Sequence, residues 1–139
     1  MDVRAAVAYK AGEPLVIETV QLQGPRFGEV LIEIKATGIC HTDLHEHPGR
    51  HSPQPIVLGH EGSGIVESVG AAVTTIAPGD HVVMTYMSCG LCLPCETGHP
   101  AHCSHMHPLN FGGGRLDGST STCSCDNAAP IHDHFFGQS

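Results

Sequence analysis

The chain has few basic side chains and no long apolar run. Lys and Arg number 6 against 14 Asp and Glu, which gives the 139 residues a formal charge of −8 at pH 7. Nucleic acid and anionic membrane surfaces both need a basic footprint, so neither is expected as a main partner. No stretch approaches the roughly 20 apolar residues of a membrane span.

An export signal is also missing from the start of the sequence. The first ten residues contain no apolar core of a secretory signal. Seven cysteines without such a signal indicate reduced thiols in the cytoplasm, available to a metal. The length is that of one domain, which can bury one hydrophobic core but not two.

Helix signals are scarce, whereas short strand patterns recur. We predict strands at residues 4–9, 15–20, 29–36, 62–69 and 81–87, with turn residues between them. In the third segment alternate residues are apolar, which predicts a strand with one buried face: Val30, Ile32, Ile34 and Ala36. Short strands at this spacing favour a mainly β, barrel-like fold with few helices over alternating βαβ units.

Three further segments carry weaker signals. His41-Thr42-Asp43 could open one short helical turn, while residues 101–127 show no periodicity and are predicted to be loop. Gly62-Ser63-Gly64 begins like a dinucleotide-binding fingerprint, but Glu67 occupies the place of its third glycine. We therefore interpret these glycines, like those at 112–114, as loop residues and expect no Rossmann domain in this chain.

Four cysteines within fifteen residues form a Cys-x2-Cys-x2-Cys-x7-Cys pattern: Cys89, Cys92, Cys95 and Cys103. Gaps of two residues allow tight turns to bring thiolates to one ion, and zinc accepts four such sulfurs as a structural site. A ferredoxin-type iron–sulfur cluster would place its fourth cysteine after three residues, followed by proline. Disulfides are the other alternative, but three of these cysteines are crowded for an ordinary framework. The pattern favours a structural zinc lobe over residues 88–104.

Cys40 and His60 lie twenty residues apart, each near glycine, and could supply two ligands of an open metal site. Catalytic zinc keeps three protein ligands and one position for water or substrate. A cation there would favour the loss of a proton from a bound alcohol. Thr42 could take this proton and His45 pass it to solvent, while Asp43 could accept the imidazole N–H of His60. From spacing alone, a buried Cys40 and a hydrogen-bonded core His60 are an equal alternative.

Two more cysteines lie near the end of the sequence. Cys123 and Cys125, with His132 and His134 nearby, could form an additional metal site or complete the open one. The Ser-, Thr- and Asn-rich surroundings give no ligand geometry, so two exposed loop thiols are the preferred interpretation.

These motifs resemble, in order and spacing, those of the zinc-dependent medium-chain alcohol dehydrogenases. The shared segments are Cys40-His41-Thr42-Asp43, Gly59-His60-Glu61, Pro78-Gly79-Asp80 and the four-cysteine lobe. The resemblance covers nearly all of residues 1–139 and corresponds to the family's N-terminal GroES-like catalytic domain. Asn110-Phe111 and the final residues 135–139 look most like the aryl (benzyl) alcohol dehydrogenase branch.

The resemblance implies roles for residues of the open site. Cys40 and His60 would hold the catalytic zinc, with Glu61 behind it as an alternate ligand. Thr42 and His45 would form the proton relay.

It also implies roles around that site. Asp43 would support the zinc-binding histidine, and His41 would touch the cofactor pyrophosphate. The structural zinc would be held by the four lobe cysteines: Cys89, Cys92, Cys95 and Cys103.

The resemblance implies parts that the 139 residues do not supply. The family's third catalytic ligand, a cysteine, lies further along the chain than Ser139, and the nucleotide-binding domain is missing as well. We therefore expect a fragment, truncated before its last strands, that alone neither binds NAD or NADP nor oxidises an alcohol.

Two functions from different classes compete. The intact enzyme would oxidise primary alcohols, aromatic ones among them, to aldehydes with NAD or NADP, and could be an oligomer. The alternative is a stand-alone zinc-binding or interaction module with the same fold and no redox chemistry. A co-chaperonin-like protein would share the barrel but would have no use for the positioned metal ligands.

Overall fold

The computed structural model describes residues 1–46 and 53–133, without the side chains of residues 44–46. Its strands are β1 (Asp2–Ala8), β2 (Val16–Leu22), β3 (Val30–Thr37), β4 (Ile56–Val57), β5 (Gly62–Val69), β6 (His81–Val83), β7 (Thr122–Ser124) and β8 (Pro130–Asp133). Its helices are α1 (His41–Glu46), α2 (Leu93–Glu96) and α3 (Met106–Asn110), with a 3-10 helix at Pro100–His102. The predicted mainly β fold with few short helices is confirmed.

Five strands close a barrel in the order β1-β2-β7-β8-β4. β1 pairs antiparallel with β2 and β4, and the two-residue strand β4 pairs parallel with β8. Because side chains alternate along a strand, every second residue points inward. The interior side chains Val7, Val20, Val57 and Ile131 are at most 4% exposed. These side chains form the main apolar core of the described residues.

A second, antiparallel sheet has the order β3-β5-β6. The pairing of β3 with β5 shifts register between Leu31 and Ile32 and again between Ile34 and Ala36. At Gly64 in β5, a Cβ atom would lie 2.1 Å from the carbonyl oxygen of Glu33, so the two backbones approach too closely for a side chain. The strand predicted at 62–69 is β5, so only our separate interpretation of Gly62 and Gly64 as loop residues is wrong. At Gly64, glycine permits close strand pairing.

The burial predicted for β3 is only partly confirmed. Residues 30–32 are half-buried, but Ile34 is 41% exposed and the strand stays exposed through Thr37. The two register shifts interrupt the alternation, and the described residues do not cover this half of the strand.

The other predicted boundaries differ by short segments. The strand predicted at 81–87 ends at Val83, because its partner β5 begins at Gly62 and offers no further residues for pairing. The backbone of Met87 bonds to the side chain of Asn110 instead. The loop predicted at 101–127 contains most of the 3-10 helix, α3 and β7. Elements of three to five residues are too short to show a period, and tertiary contacts stabilise them. The short strands β4 and β8 were missed for the same reason.

Candidate metal centres

The four-cysteine lobe brings its thiols together. The sulfurs of Cys89, Cys92, Cys95 and Cys103 all lie within 4.8 Å of one another. All are free thiols, and the 3.4 Å between the sulfurs of Cys92 and Cys95 is well above the ~2.05 Å of a disulfide bond. Gly90 and Gly98 have φ of +73° and +81°, which lets the chain turn tightly on either side of α2.

Backbone N–H groups point at the sulfur of Cys103. Cys89 and His105 each donate an N–H to this sulfur at 3.3 Å, and the side chain is buried. These bonds hold the sulfur of Cys103 beside the other three cysteine sulfurs, as a shared metal ion would require.

The cysteine thiols of the lobe differ in pKa. The backbone N–H of Leu91 lowers the pKa of the Cys89 thiol to about 7, and that of Ser104 lowers the pKa of Cys92. Loss of solvent, together with the neighbouring thiols, raises the pKa of Cys95 to about 11. Four thiolates this close repel one another unless a cation neutralises them. The four sulfur donors therefore fit tetrahedral zinc.

A second potential metal-binding group consists of Cys40, Asp43 and His60, whose donor atoms lie within 4.8 Å of one another. The sulfur of Cys40 is 2.9 Å from Nε2 of His60 and accepts the backbone N–H of Thr42 at 3.2 Å. Nδ1 of His60 is 3.2 Å from Oδ1 of Asp43, close in distance but not aligned as a hydrogen bond. Cysteine sulfur and imidazole nitrogen are the donors that zinc prefers, so this group also fits the metal.

The local sequence explains how these residues meet. Asp43 is the third residue of α1, and its Oδ2 accepts the backbone N–H of Cys40 at 2.9 Å, which is half of a capping box. Before the helix, Gly38 donates its N–H to the carbonyl oxygen of Glu61 at 3.1 Å. A Cβ atom on Gly38 would lie 2.1 Å from Oε2 of Glu61, so a larger residue here would require the Glu61 side chain to move. The crossing places Cys40 beside His60.

The remaining predicted site residues differ in their distance from this group and in their exposure. Oε1 of Glu61 is 3.9 Å from Nε2 of His60, and the Glu61 side chain is 45% exposed. Thr42 is half-buried, whereas His41 is exposed at the start of α1. His45 lies in α1, but its side chain is outside the described part of the chain.

A cavity of about 460 Å³ opens beside His60. Its other walls are mostly apolar and come from two segments, 84–86 and 106–111: Met84, Thr85, Tyr86, Met106 and Phe111. The ring of His107 stacks on Phe111, with centroids 5.7 Å apart. The sequence does not mark these residues as part of the site, because apolar wall residues carry no ligand or catalytic pattern.

Cys123 and Cys125 have different surroundings. Cys123 lies half-buried in β7 opposite Gln21, while Cys125 is exposed and contacts the carbonyl oxygen of Thr19 at 3.3 Å. The expectation of exposed loop thiols is right for Cys125 and wrong for Cys123, which pairing with β2 draws into the barrel. Within residues 1–46 and 53–133 neither joins a group of three metal donors. His134 lies outside the described residues.

Comparison with known proteins decides the family. Residues 26–132 match the sequence profile of the alcohol dehydrogenase GroES-like domain. The chain belongs to this family. It is 49% identical to a geraniol dehydrogenase of Castellaniella defragrans over 140 residues, which is 100% of this chain and 37% of that protein. The predicted membership of the zinc-type alcohol dehydrogenases and their GroES-like fold is thus confirmed.

Solved structures of the same family superpose closely. A crystal structure of an alcohol dehydrogenase zinc-binding domain protein from Burkholderia ambifaria has a TM-score of 0.93 and 49% identity, over 98% of this chain and 37% of that one. The benzyl alcohol dehydrogenase of Acinetobacter calcoaceticus has a TM-score of 0.89 and 42% identity, over 98% and 36% respectively. This GroES-like chain therefore spans little more than a third of the length of these relatives. Across its described residues, no helix has the length and apolarity to cross a membrane.

Proposed function

We propose that the chain is the zinc-binding catalytic domain of an NAD(P)-dependent alcohol dehydrogenase that oxidises apolar primary alcohols to aldehydes. The observation that carries the proposal is the pair formed by Cys40 and His60. Their donor atoms are 2.9 Å apart, and His60 forms part of the wall of the 460 Å³ apolar cavity. Family membership supports the reaction type.

Cys40 and His60 would hold the catalytic zinc, and Asp43 would orient the histidine. Nε2 of His60 faces the sulfur of Cys40, while Nδ1 on the other side of the ring faces Asp43. A metal bound between Cys40 and Nε2 would therefore leave Asp43 behind the imidazole, where a carboxylate fixes the ring and its tautomer. When bound, the zinc stabilises negative charge on the oxygen of the alcohol.

Residues in and near α1 would take part in proton transfer, metal binding and cofactor binding. Thr42 follows Cys40 by two residues, and we assign it the first step of proton removal, with His45 as the link to solvent. Glu61, 3.9 Å from Nε2 of His60, would be the alternate metal ligand. The exposed His41 would contact the pyrophosphate of NAD or NADP.

The four-thiolate lobe would hold a second, structural zinc. Because its four sulfurs occupy all the positions of a tetrahedron, no position remains for substrate. Thiolate ligands need a reducing compartment, so we place the protein in the cytoplasm.

The cavity walls indicate the alcohol. Met84, Tyr86, Met106 and Phe111 favour a substrate with a large apolar group. The names of two relatives, geraniol dehydrogenase and benzyl alcohol dehydrogenase, agree with this chemistry. We therefore expect a primary alcohol of the benzyl or geranyl type.

A stand-alone zinc-binding module is the second candidate. The described residues form a barrel and a three-stranded sheet, and neither has the form of a nucleotide-binding unit. Hydride transfer requires the alcohol and the cofactor to be held about 3–3.5 Å apart. The 139-residue chain by itself should therefore neither bind NAD nor oxidise benzyl alcohol.

A chimaera separates the two candidates. This chain would replace the matching N-terminal third of the Castellaniella geraniol dehydrogenase, to which it aligns along its whole length. We expect reduction of NAD or NADP with benzyl alcohol or geraniol, and its loss in the Cys40→Ser chimaera. A folded, zinc-loaded chimaera without turnover would favour the stand-alone module. Turnover by the 139-residue chain alone would refute the claim that the reaction needs a nucleotide-binding domain.

A further inference from the structure

Asn110 is a polar side chain buried in the wall region of the cavity. It is 2% exposed at the end of α3. Its Oδ1 accepts the backbone N–H of Met87 at 2.7 Å. Its Nδ2 donates to the carbonyl oxygens of Met87 and Met106, each at 2.9 Å. A buried amide with both ends bonded to backbone holds its partners in one relative position.

These bonds join two segments that are distant in sequence. Met87 lies just before Cys89, the first ligand of the lobe, and Asn110 follows the last ligand, Cys103. The N–H of Met106 in turn bonds the carbonyl oxygen of Cys103 at 3.0 Å. Asn110 therefore links the chain segment that leads into the lobe with the segment that leads out of it.

The same two segments form the apolar walls of the cavity beside His60. Met84, Thr85 and Tyr86 precede Met87, and Met106 and Phe111 flank Asn110. Residues 84–88 belong to no strand or helix, although the N–H of Met84 bonds the carbonyl oxygen of Gly62 at 3.0 Å. The side chain of Asn110 hydrogen-bonds Met87, the residue that follows the first wall segment, and so links the two walls.

We propose that Asn110 is a positioning residue that sets the distance between the two walls of the alcohol cavity and so determines which alcohols fit. The inference rests on the proposed function of this cavity. The amide of Asn110 supplies both the acceptor and the donor that the backbone of Met87 bonds. Aspartate keeps the acceptor but, when ionised, lacks the donor, while alanine lacks both.

Methyl-labelled methionine provides a direct test. The chain has four methionines, of which Met84 and Met106 line the cavity, Met87 is held by Asn110, and Met1 lies far along the sequence. NMR spectra of the zinc-loaded 139-residue chain would be recorded for the native protein, Asn110→Ala and Asn110→Asp. Asn127→Ala, which changes an exposed turn residue, is the matched control. Each protein would be titrated with benzyl alcohol and with ethanol.

We expect the methyl signals of Met84 and Met106 to shift in both Asn110 variants, and the amide of Met87 to exchange faster with solvent, while Met1 stays unchanged. The Kd for benzyl alcohol should rise about tenfold, the equivalent of one or two lost hydrogen bonds, whereas the Kd for ethanol changes less. A general loss of structure would weaken both alcohols alike and lower the zinc content. If Asn110→Ala is too unstable to study, Asn110→Asp carries the test.

Two outcomes separate this inference from the proposed function. Unchanged signals of Met84 and Met106 in the Asn110 variants, or an unchanged ratio of the two Kd values, would overturn the positioning role. Failure of the native chain to bind either alcohol would count against the proposed function. In that case the free-state signals and the exchange of Met87 still decide whether Asn110 holds the two walls.

Discussion

Replacing Cys103 by serine should destabilise the zinc-loaded chain more than replacing Cys40 by serine. Cys103 is 5% exposed and accepts N–H groups from Cys89 and His105. Zinc binding to a structural site contributes roughly 10–16 kcal/mol, and this free energy is also folding free energy. Loss of one ligand in four forfeits about a quarter of that, roughly 2.5–4 kcal/mol. A domain of this size has a net stability of only about 5–15 kcal/mol.

Replacing Cys40 should lower the free energy of unfolding less than replacing Cys103. Its sulfur contacts Nε2 of His60 and the N–H of Thr42, and the side chain is only half-buried. Its replacement by serine removes local packing and one or two hydrogen bonds, about 1–2 kcal/mol. The free energy of unfolding should therefore fall about twice as far in Cys103→Ser as in Cys40→Ser.

Urea denaturation of both variants, with zinc supplied equally near neutral pH, measures this difference. Cys125→Ser is the control, because its exposed thiol should leave stability within about 0.5 kcal/mol of the native value. At acid pH protons compete with zinc for the thiolates, so Cys103→Ser and the native chain should converge. Greater damage from Cys40→Ser would show that the open site, and not the lobe, stabilises the fold.

Two further substitutions test interactions outside the metal sites. Arg115→Met should lower the free energy of unfolding by about 2 kcal/mol, because Arg115 donates two N–H groups to the carboxylate of Glu29 in a mostly buried pair. The control Lys10→Met, which removes an exposed ion pair, should change it little. The hydrogen bonds of Arg115 lower the pKa of Glu29 below its ordinary value of 4.5, so this stabilisation is present above that pH and is lost as pH falls through the lowered pKa. Urea titrations at several pH values should show a flatter acid dependence in Arg115→Met, and an identical slope would contradict the ion pair. Gly64→Ala should lower the urea midpoint, since the added Cβ would overlap a backbone oxygen. The control Gly24→Ala should leave the midpoint unchanged, because its Cβ would have nothing within 4 Å. Equal effects of the two substitutions would refute the close strand approach.

The thiolate lobe could be predicted from sequence because its ligands are local. Three cysteines separated by two residues each can reach one ion through turns alone, so spacing is sufficient. The pairing of Cys40 with His60 is different, because the crossing of Gly38 over Glu61 brings them together. Spacing therefore left a metal site and a core histidine equally open, and the family resemblance favoured the metal.

Other parts could not be predicted because their cause lies in tertiary contacts. β4 and β8 have two and four residues, and they exist as strands through their mutual pairing and the closure of the barrel. The sequence predicts the strand at 62–69 but not why residue 64 is glycine, which the close approach of β3 explains. The cavity walls depend on the bonds of Asn110 to Met87, which join positions 23 residues apart and leave no local pattern.

Metal analysis of three proteins tests the central claim, that the chain carries a closed zinc site and a separate open one. The native chain, Cys40→Ser and Cys103→Ser would be passed through gel filtration and analysed for zinc, iron and acid-labile sulfide. We expect one tightly held zinc in the native chain and in Cys40→Ser, and its loss in Cys103→Ser, because four thiolates hold zinc more firmly than one thiolate and one imidazole. Iron with sulfide, a folded native chain without metal, or zinc that Cys103→Ser retains and Cys40→Ser loses would contradict the account.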